Sequence, residues 1–200
     1  MDLITQFKNT NISVFFNGRK DSIVLLDLLS KVYNLSKIPI VFILKKNEFP
    51  EILNYIDYIC KLYCLNIQVF SNMKIAISNL IEKSNATHAF TGIRSIDPYG
   101  HKTNLVQKTD PDWPQIILIN PILHWSNQDI WRYILSNNLD YCELYNRGYT
   151  SLGETTNTFK NYLLFDYANK VYLPAYCLQK DMDERANRIN SHLPITLTGP

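Results

Sequence analysis

The chain has 200 residues, 46% of them hydrophobic and 12% aromatic, enough for a full core, and that composition excludes wholesale disorder. Twenty basic against 18 acidic side chains leave a net charge of +2, too little for a general nucleic-acid or membrane-surface binder. The start carries no secretory pattern and no apolar run approaches the roughly 20 residues of a membrane helix, so a cytoplasmic protein with no nucleic-acid or membrane partner is expected.

The apolar run Ser13 to Phe16 predicts a first strand that stops at Asn17-Gly18. Asp21-Ser22 then opens a helix to about Asn34, and Ile23, Val24, Leu25, Leu26, Leu28, Leu29 and Val32 cover nearly its whole circumference. Pro39 to Leu44 is continuous in apolar character, as in a parallel strand covered on both faces. Pro50 suits a first helical turn, and Ile52, Ile56, Ile59 and Tyr63 follow at helical spacing. Cys60 and Cys64, one turn apart, read as core positions of that helix. With Cys142 and Cys177 they read as buried free thiols, not a disulfide framework. A strand at Ile67 to Phe70, a helix around Ile75 to Lys83 and strands at His88 to Thr91 and Ile116 to Ile119 complete the alternation.

Strands alternating with helices predict an α/β protein with an open, doubly wound, mainly parallel, Rossmann-like sheet. After Asn120 the pattern changes: Ser126 and Asp129 form a capping-box start, and a helix runs through Ile130, Trp131, Ile134 and Leu135. Past Asn137 the segments are short, polar and rich in tyrosine. One domain over 1–200 is expected, with a nucleotide-binding α/β core at 13–124 and a helical or irregular extension at 125–200 wrapped on it. The histidines His88, His101, His124 and His192 share no ligand-like spacing with the cysteines, so no zinc site is expected.

Ligands of such sheets bind beyond the carboxyl ends of the strands, at the switch point beside the first strand. Three polar constellations fall at such ends. The first is Phe16-Asn-Gly-Arg-Lys-Asp-Ser22, where Gly18 permits close backbone approach, Lys20 adds a mobile cation and the helix start favours an anion such as phosphate. It is neither a Walker A loop nor a GxGxxG turn, and an ordinary polar turn capped by Asp21 is nearly as good a reading. The second is Thr91-Gly-Ile-Arg-Ser-Ile-Asp-Pro-Tyr-Gly100, where Arg94 offers two parallel bonds to a phosphate and Asp97-Pro98 sets a turn. A surface loop whose arginine and aspartate pair with each other reads equally well; its position facing the first loop favours function. The third is diffuse: Asp110-Pro-Asp-Trp-Pro114, Tyr145 to Gly153, and Asp183 to Arg188. Trp113 offers a stacking surface, and Arg185 and Arg188 share one face if their segment is helical. Packing and a solvated charged face are the plainer explanations. No GxSxG elbow or Ser-His-Asp set is present.

In their joint order these pieces resemble the eukaryotic-type FAD synthases, or FMN adenylyltransferases, of the phosphoadenosine-phosphosulfate reductase-like group, whose fold is of the adenine nucleotide α-hydrolase type. That family's phosphate loop reads SFNGGKD, against Phe15-Phe-Asn-Gly-Arg-Lys-Asp21 here. The series continues through Gly92 to Gly100, Thr109 to Pro114, Asn120 to Trp125, Asp129 to Trp131, Tyr141 to Gly153, Asn157-Thr158, Pro174 to Tyr176 and Glu184 to Arg188. The resemblance implies Mg²⁺-dependent transfer of AMP from ATP to FMN, giving FAD and pyrophosphate. It puts Phe16, Asn17, Gly18, Arg19, Lys20, Asp21, Ser22, Gly92 and Arg94 on ATP. Asn17, Asp21, Asp97, Arg185 and Arg188 become the catalytic set, and Asp21 the nominated metal ligand. Asp97, Asp110, Trp113, Arg185 and Arg188 fall by the flavin, and Trp125 is a packing residue. A monomer is expected.

Two departures stand out. Arg19 replaces the family's second glycine, and its side chain is expected to point outward or toward phosphate with activity retained. Ser95 stands where relatives often carry a second arginine. Two other readings stay open: a non-catalytic nucleotide- or flavin-binding module, and another ATP-using enzyme of the same group. Adenylyl transfer requires Lys20 and Arg185 to share one cleft.

Overall fold

In the computed structural model, which describes residues 3–98 and 100–189, six strands form one sheet in the order β3-β2-β1-β4-β6-β5. The strands are β1 (Ile12–Phe15), β2 (Ile40–Ile43), β3 (Ile67–Phe70), β4 (His88–Phe90), β5 (Val106–Lys108) and β6 (Ile117–Ile119). Five run parallel, and β5 pairs antiparallel with β6 at the edge. The helices are α1 (Lys20–Ser30), α2 (Pro50–Leu62), α3 (Met73–Ser84) and α4 (Asn127–Ser136).

Side-chain alternation along the strands explains the layers. Val14, Phe16, Ile40, Phe42 and Phe90 belong to the cluster that holds the apolar residues of α1, α2 and α4. Their neighbours Phe15, Val41, Ile43 and Ala89 face the other way, against Ala76, Ile77 and Leu80 of α3. The path of the chain accounts for this division. From β1 to β3 it moves one way along the sheet with α1 and α2 on one face; β4 lies back beyond β1, and a right-handed crossover in that direction must put α3 on the opposite face. The order therefore reverses between β1 and β4. Because α3 stands alone on its face, part of that face is left open above the strand ends.

Helix α1 is buried along Ile23, Val24, Leu25, Leu26 and Leu29, as its apolar girth requires. The capping box at α4 is present: Ser126 Oγ accepts from the Asp129 N–H at 3.0 Å and Asp129 Oδ2 accepts from the Ser126 N–H at the same distance. Trp125 packs on Tyr133, with ring centroids 5.6 Å apart. Beyond α4 the chain runs through short 3-10 turns and a hairpin, β7 (Phe165–Asp166) with β8 (Val171–Tyr172). All four cysteines are free, as expected, but only Cys142 is buried. Cys60 and Cys177 are half-buried, and Cys64 is exposed, beyond the end of α2, with a left-handed φ of 51°. His192 and Tyr99 lie outside the described residues.

Candidate active site

A cavity of about 620 Å³ opens where β1 and β4 part. Its apolar floor is Phe15, Val41, Ile43 and Leu118 of the sheet, with Met73 and Ile77 of α3. Asn17, Lys20, Asp21 and Ser22 line it from the turn into α1, and Gly92, Ile93 and Asp97 from the segment after β4. Asp110 and Trp113 close it on the β5 side, and Ser151, Leu152, Glu184, Arg185 and Arg188 come from the C-terminal extension. Lys20 and Arg185 share this cleft.

The turn into α1 has local causes. Gly18 has φ +69°, and a Cβ there would stand 2.7 Å from Ile56 Cγ1, so a side chain would be strained and would displace Ile56. Asn17 Oδ1 accepts from the Arg19 N–H at 3.1 Å, while Ser22 Oγ donates to Arg19 O at 2.9 Å. The Tyr145 hydroxyl accepts from the Lys20 N–H at 3.1 Å. Burial pushes the Tyr145 phenol well above the ordinary tyrosine range, so it stays a neutral partner. Gly92 brings the second loop against this turn, with space for a Cβ only 3.3 Å from Asp21 C.

At the base of the cleft four charges interlock. Lys20, 1% exposed, forms a short ion pair with Glu184 and lies 3.1 Å from Asp21 Oδ2. Arg94, fully buried, reaches Glu184 Oε2 at 2.6 Å and Asp21 Oδ1 at 2.7 Å. Burial alone would push the Asp21 carboxyl up, but Lys20 and Arg94 hold it below the ordinary carboxylate range. Asp97 behaves in the opposite way: burial, then the charge of Asp21, hold its carboxyl above that range. Its Oδ2 accepts from the Arg94 N–H at 2.9 Å, and its Oδ1 sits 3.8 Å from Arg185 Nη1.

The walls above are more loosely held. Arg188 donates from Nη1 to Ser151 Oγ at 3.3 Å, and its buried Nε has no hydrogen-bond partner. Burial, with Arg185 and Arg19 nearby, pushes its guanidinium below the ordinary arginine value. Toward β5, Trp113 is held in a turn by Gln115, whose Nε2 donates to Asp110 O at 2.9 Å and Trp113 O at 2.8 Å. Lys74 covers one Trp113 face at 5.0 Å from the ring centroid.

Most sequence-nominated residues meet in this one cleft, and five nominations change in detail. Arg94 does not line it; its Nε and Nη2 reach the carboxylates of Asp21 and Glu184, while its buried Nη1 has no hydrogen-bond partner. Lys20 is anchored, not mobile. Asp21, nominated for metal, lines the cleft but already has one oxygen on Arg94 and the other on Lys20. Arg19 points neither outward nor simply at the cavity: it is bonded to Glu48 and to the carbonyls of Asn17, Leu152 and Gly153. Its φ of −86° is open to any residue, so the missing glycine does not strain the turn. Gly18 backs the loop without lining the cavity. Lining residues that the sequence left unmarked include Lys45, Gln107 and Lys108, and Tyr145 and Glu184 line it from motifs that assign them no role.

The sequence profile of the phosphoadenosine phosphosulfate reductase domain matches residues 11–76 and 73–160. A probable FAD synthase of Schizosaccharomyces pombe is 36% identical over 96% of this chain and 76% of its own length. A probable FAD synthase of Caenorhabditis briggsae is 35% identical over 94% of this chain, which spans only 38% of that longer relative. Among solved structures, Candida glabrata FMN adenylyltransferase in complex with ATP superposes with a TM-score of 0.83 at 27% identity, covering 94% of this chain and 86% of that one.

Proposed function

The chain belongs to the FAD synthase family, within the phosphoadenosine phosphosulfate reductase domain family, and on that premise we propose that it transfers AMP from ATP to the phosphate of FMN. The carrying observation is one cleft with an apolar floor, a helix start at its base and Arg185 and Arg188 in its wall. That combination suits two planar rings and a polyphosphate.

An oxygen of the FMN phosphate attacks the ATP α-phosphorus, the bond from that phosphorus to the bridging oxygen breaks, and pyrophosphate leaves with the electron pair. A phosphate monoester has a second pKa near ~6, so the nucleophile is already ionised at neutral pH and needs no strong base. The difficulty is holding two polyanions in line, which calls for fixed cations and dipoles. Arg185 and Arg188 supply positive charge from the wall. The start of α1 faces the phosphates, and Lys20, held by Glu184 and Asp21, lies beneath them. Trp113 and Asp110 border the flavin side.

Magnesium characteristically comes with nucleotide phosphates and keeps several waters, using one or two protein carboxylates. Asp97 fits that part: its carboxylate lines the cleft and its Oδ1 has only a loose partner in Arg185. The ion would neutralise phosphate charge there.

Purified protein given ATP, Mg²⁺ and FMN is expected to form FAD and pyrophosphate one for one. Tight binding of both substrates without product would instead make the chain a flavin-nucleotide binding module. Reductive chemistry of the same group has no thiol to use in the cleft, since no cysteine among the described residues lines it.

A further inference from the structure

We propose that Arg19 is a positioning residue, a fork that fixes the width of the phosphate end of the cleft by tying three loops together. Its Nη2 donates to Glu48 Oε1 at 3.0 Å, Glu48 Oε2 at 3.1 Å and Gly153 O at 2.9 Å. The Nε donates to Leu152 O at 2.8 Å, and Nη1 donates to Asn17 O at 3.1 Å. Every guanidinium nitrogen is thereby engaged by protein, and the Arg19 side chain is 12% exposed against 1% for Glu48. Each tied loop contributes to the cleft: Asn17 from the turn after β1, Lys45 from the segment after β2, Ser151 and Leu152 from the extension. A second tie crosses the same gap, where the Thr155 N–H donates to Asn47 O at 2.9 Å.

The geometry separates holding from binding. An arginine that contacts phosphate needs a free edge of its fork; here both edges are taken, by one carboxylate and three carbonyls. Glu48 is the counter-ion that keeps the fork in this pose, and it also accepts from its own neighbour, the Phe49 N–H, at 3.2 Å. A lysine in place of Arg19 keeps the charge but, with three N–H donors on one atom, cannot span three carbonyls and a carboxylate at once.

The test has a structural arm and a kinetic arm, and only the kinetic arm rests on the adenylyl-transfer reading. In the ligand-free protein, Arg19→Met is expected to speed hydrogen exchange at the Thr155 amide by about tenfold or more, the scale of losing one charge-assisted hydrogen bond. Glu48→Gln is expected to act in the same direction, and Arg19→Lys to rescue little. In FAD formation each variant should raise KM for ATP, Arg19→Met by about tenfold, with kcat changed far less. The double variant should be no worse than the more severe single one, because the two side chains act as one device. If Arg19→Met does not fold, Arg19→Lys and Glu48→Gln carry the same comparison. Unchanged exchange at Thr155 overturns the proposal. So does a Glu48→Gln variant that binds ATP more tightly while Arg19→Lys is near normal, the pattern of an arginine restrained from direct phosphate contact. A wild-type chain that makes no FAD strikes the reaction instead, and leaves the exchange arm standing.

Discussion

The base and the wall of the cleft are both rich in charge and are built on opposite plans. At the base, Lys20 and Arg94 face Asp21 and Glu184 in direct, largely buried contact, two charges of each sign. On the wall, Arg185 and Arg188 have weak partners: one carboxylate at 3.8 Å and one hydroxyl at 3.3 Å. Desolvation makes the first arrangement all-or-nothing, since a buried charge without its partner is far more costly than the pair. The second keeps its positive charge unspent for an incoming polyanion. One region holds the site in shape; the other is left to meet substrate.

That contrast breaks most readily at Glu184, which holds both Lys20 and Arg94 and lies nine-tenths or more buried, at 3% exposure. Removing its charge leaves two buried cations facing one carboxylate. Glu184→Gln is expected to lower unfolding free energy by about 3–5 kcal/mol, the usual scale for breaking a buried pair from one side. Urea unfolding measures it. A variant as stable as the native chain would mean that the base tolerates excess positive charge and is not the rigid element described here.

Arg185 should give the opposite signature. Its side chain is 31% exposed and only loosely tied to Asp97, so Arg185→Ala should leave the unfolding curve nearly in place. In FAD formation it should lower kcat/KM by at least about 100-fold, the effect of removing one preorganised phosphate-facing donor. Stability lost with activity retained would reverse the assignment of the two regions.

The sequence declared the frame through periodicity: the girth of α1, the two-sided β2, the box at Ser126. It did not declare β5, whose Val106, Gln107 and Lys108 form a three-residue edge strand with no apolar run to signal it. The loops of the site were readable because they follow strands at the switch point. The same rule, applied after β2, points to Lys45, which periodicity leaves unmarked. Pairings were not readable. Nothing local distinguishes Glu184 from Asp183 beside it, and Glu184 meets Lys20 across 164 residues of chain. Arg94 looked like a phosphate ligand because a guanidinium suits either phosphate or carboxylate, and only the fold decides which it receives.

Lys45 sharpens the comparison at its smallest scale, because it belongs to the wall yet stands at its mouth. Partial burial of its ammonium, then the positive charge of Arg19, hold it below the ordinary lysine range, with Arg188 adding to the effect and Glu48 opposing it. A base with a depressed pKa loses its proton earlier as pH rises, so its attraction for a polyanion fades on the alkaline side before that of an ordinary lysine. Affinity for ATP, measured without flavin, should therefore fall from a lower pH than in Lys45→Arg, where the charge persists. Lys45→Met should remove that alkaline limb and weaken binding at neutral pH by about fivefold or less, since one exposed cation is worth up to about 1 kcal/mol. At neutral pH the native lysine is charged and its contribution is present; above its lowered pKa native and Lys45→Met chains should converge. Parallel pH curves for the three proteins would place Lys45 outside the field felt by the nucleotide, and would confine the unspent charge of the wall to its two arginines.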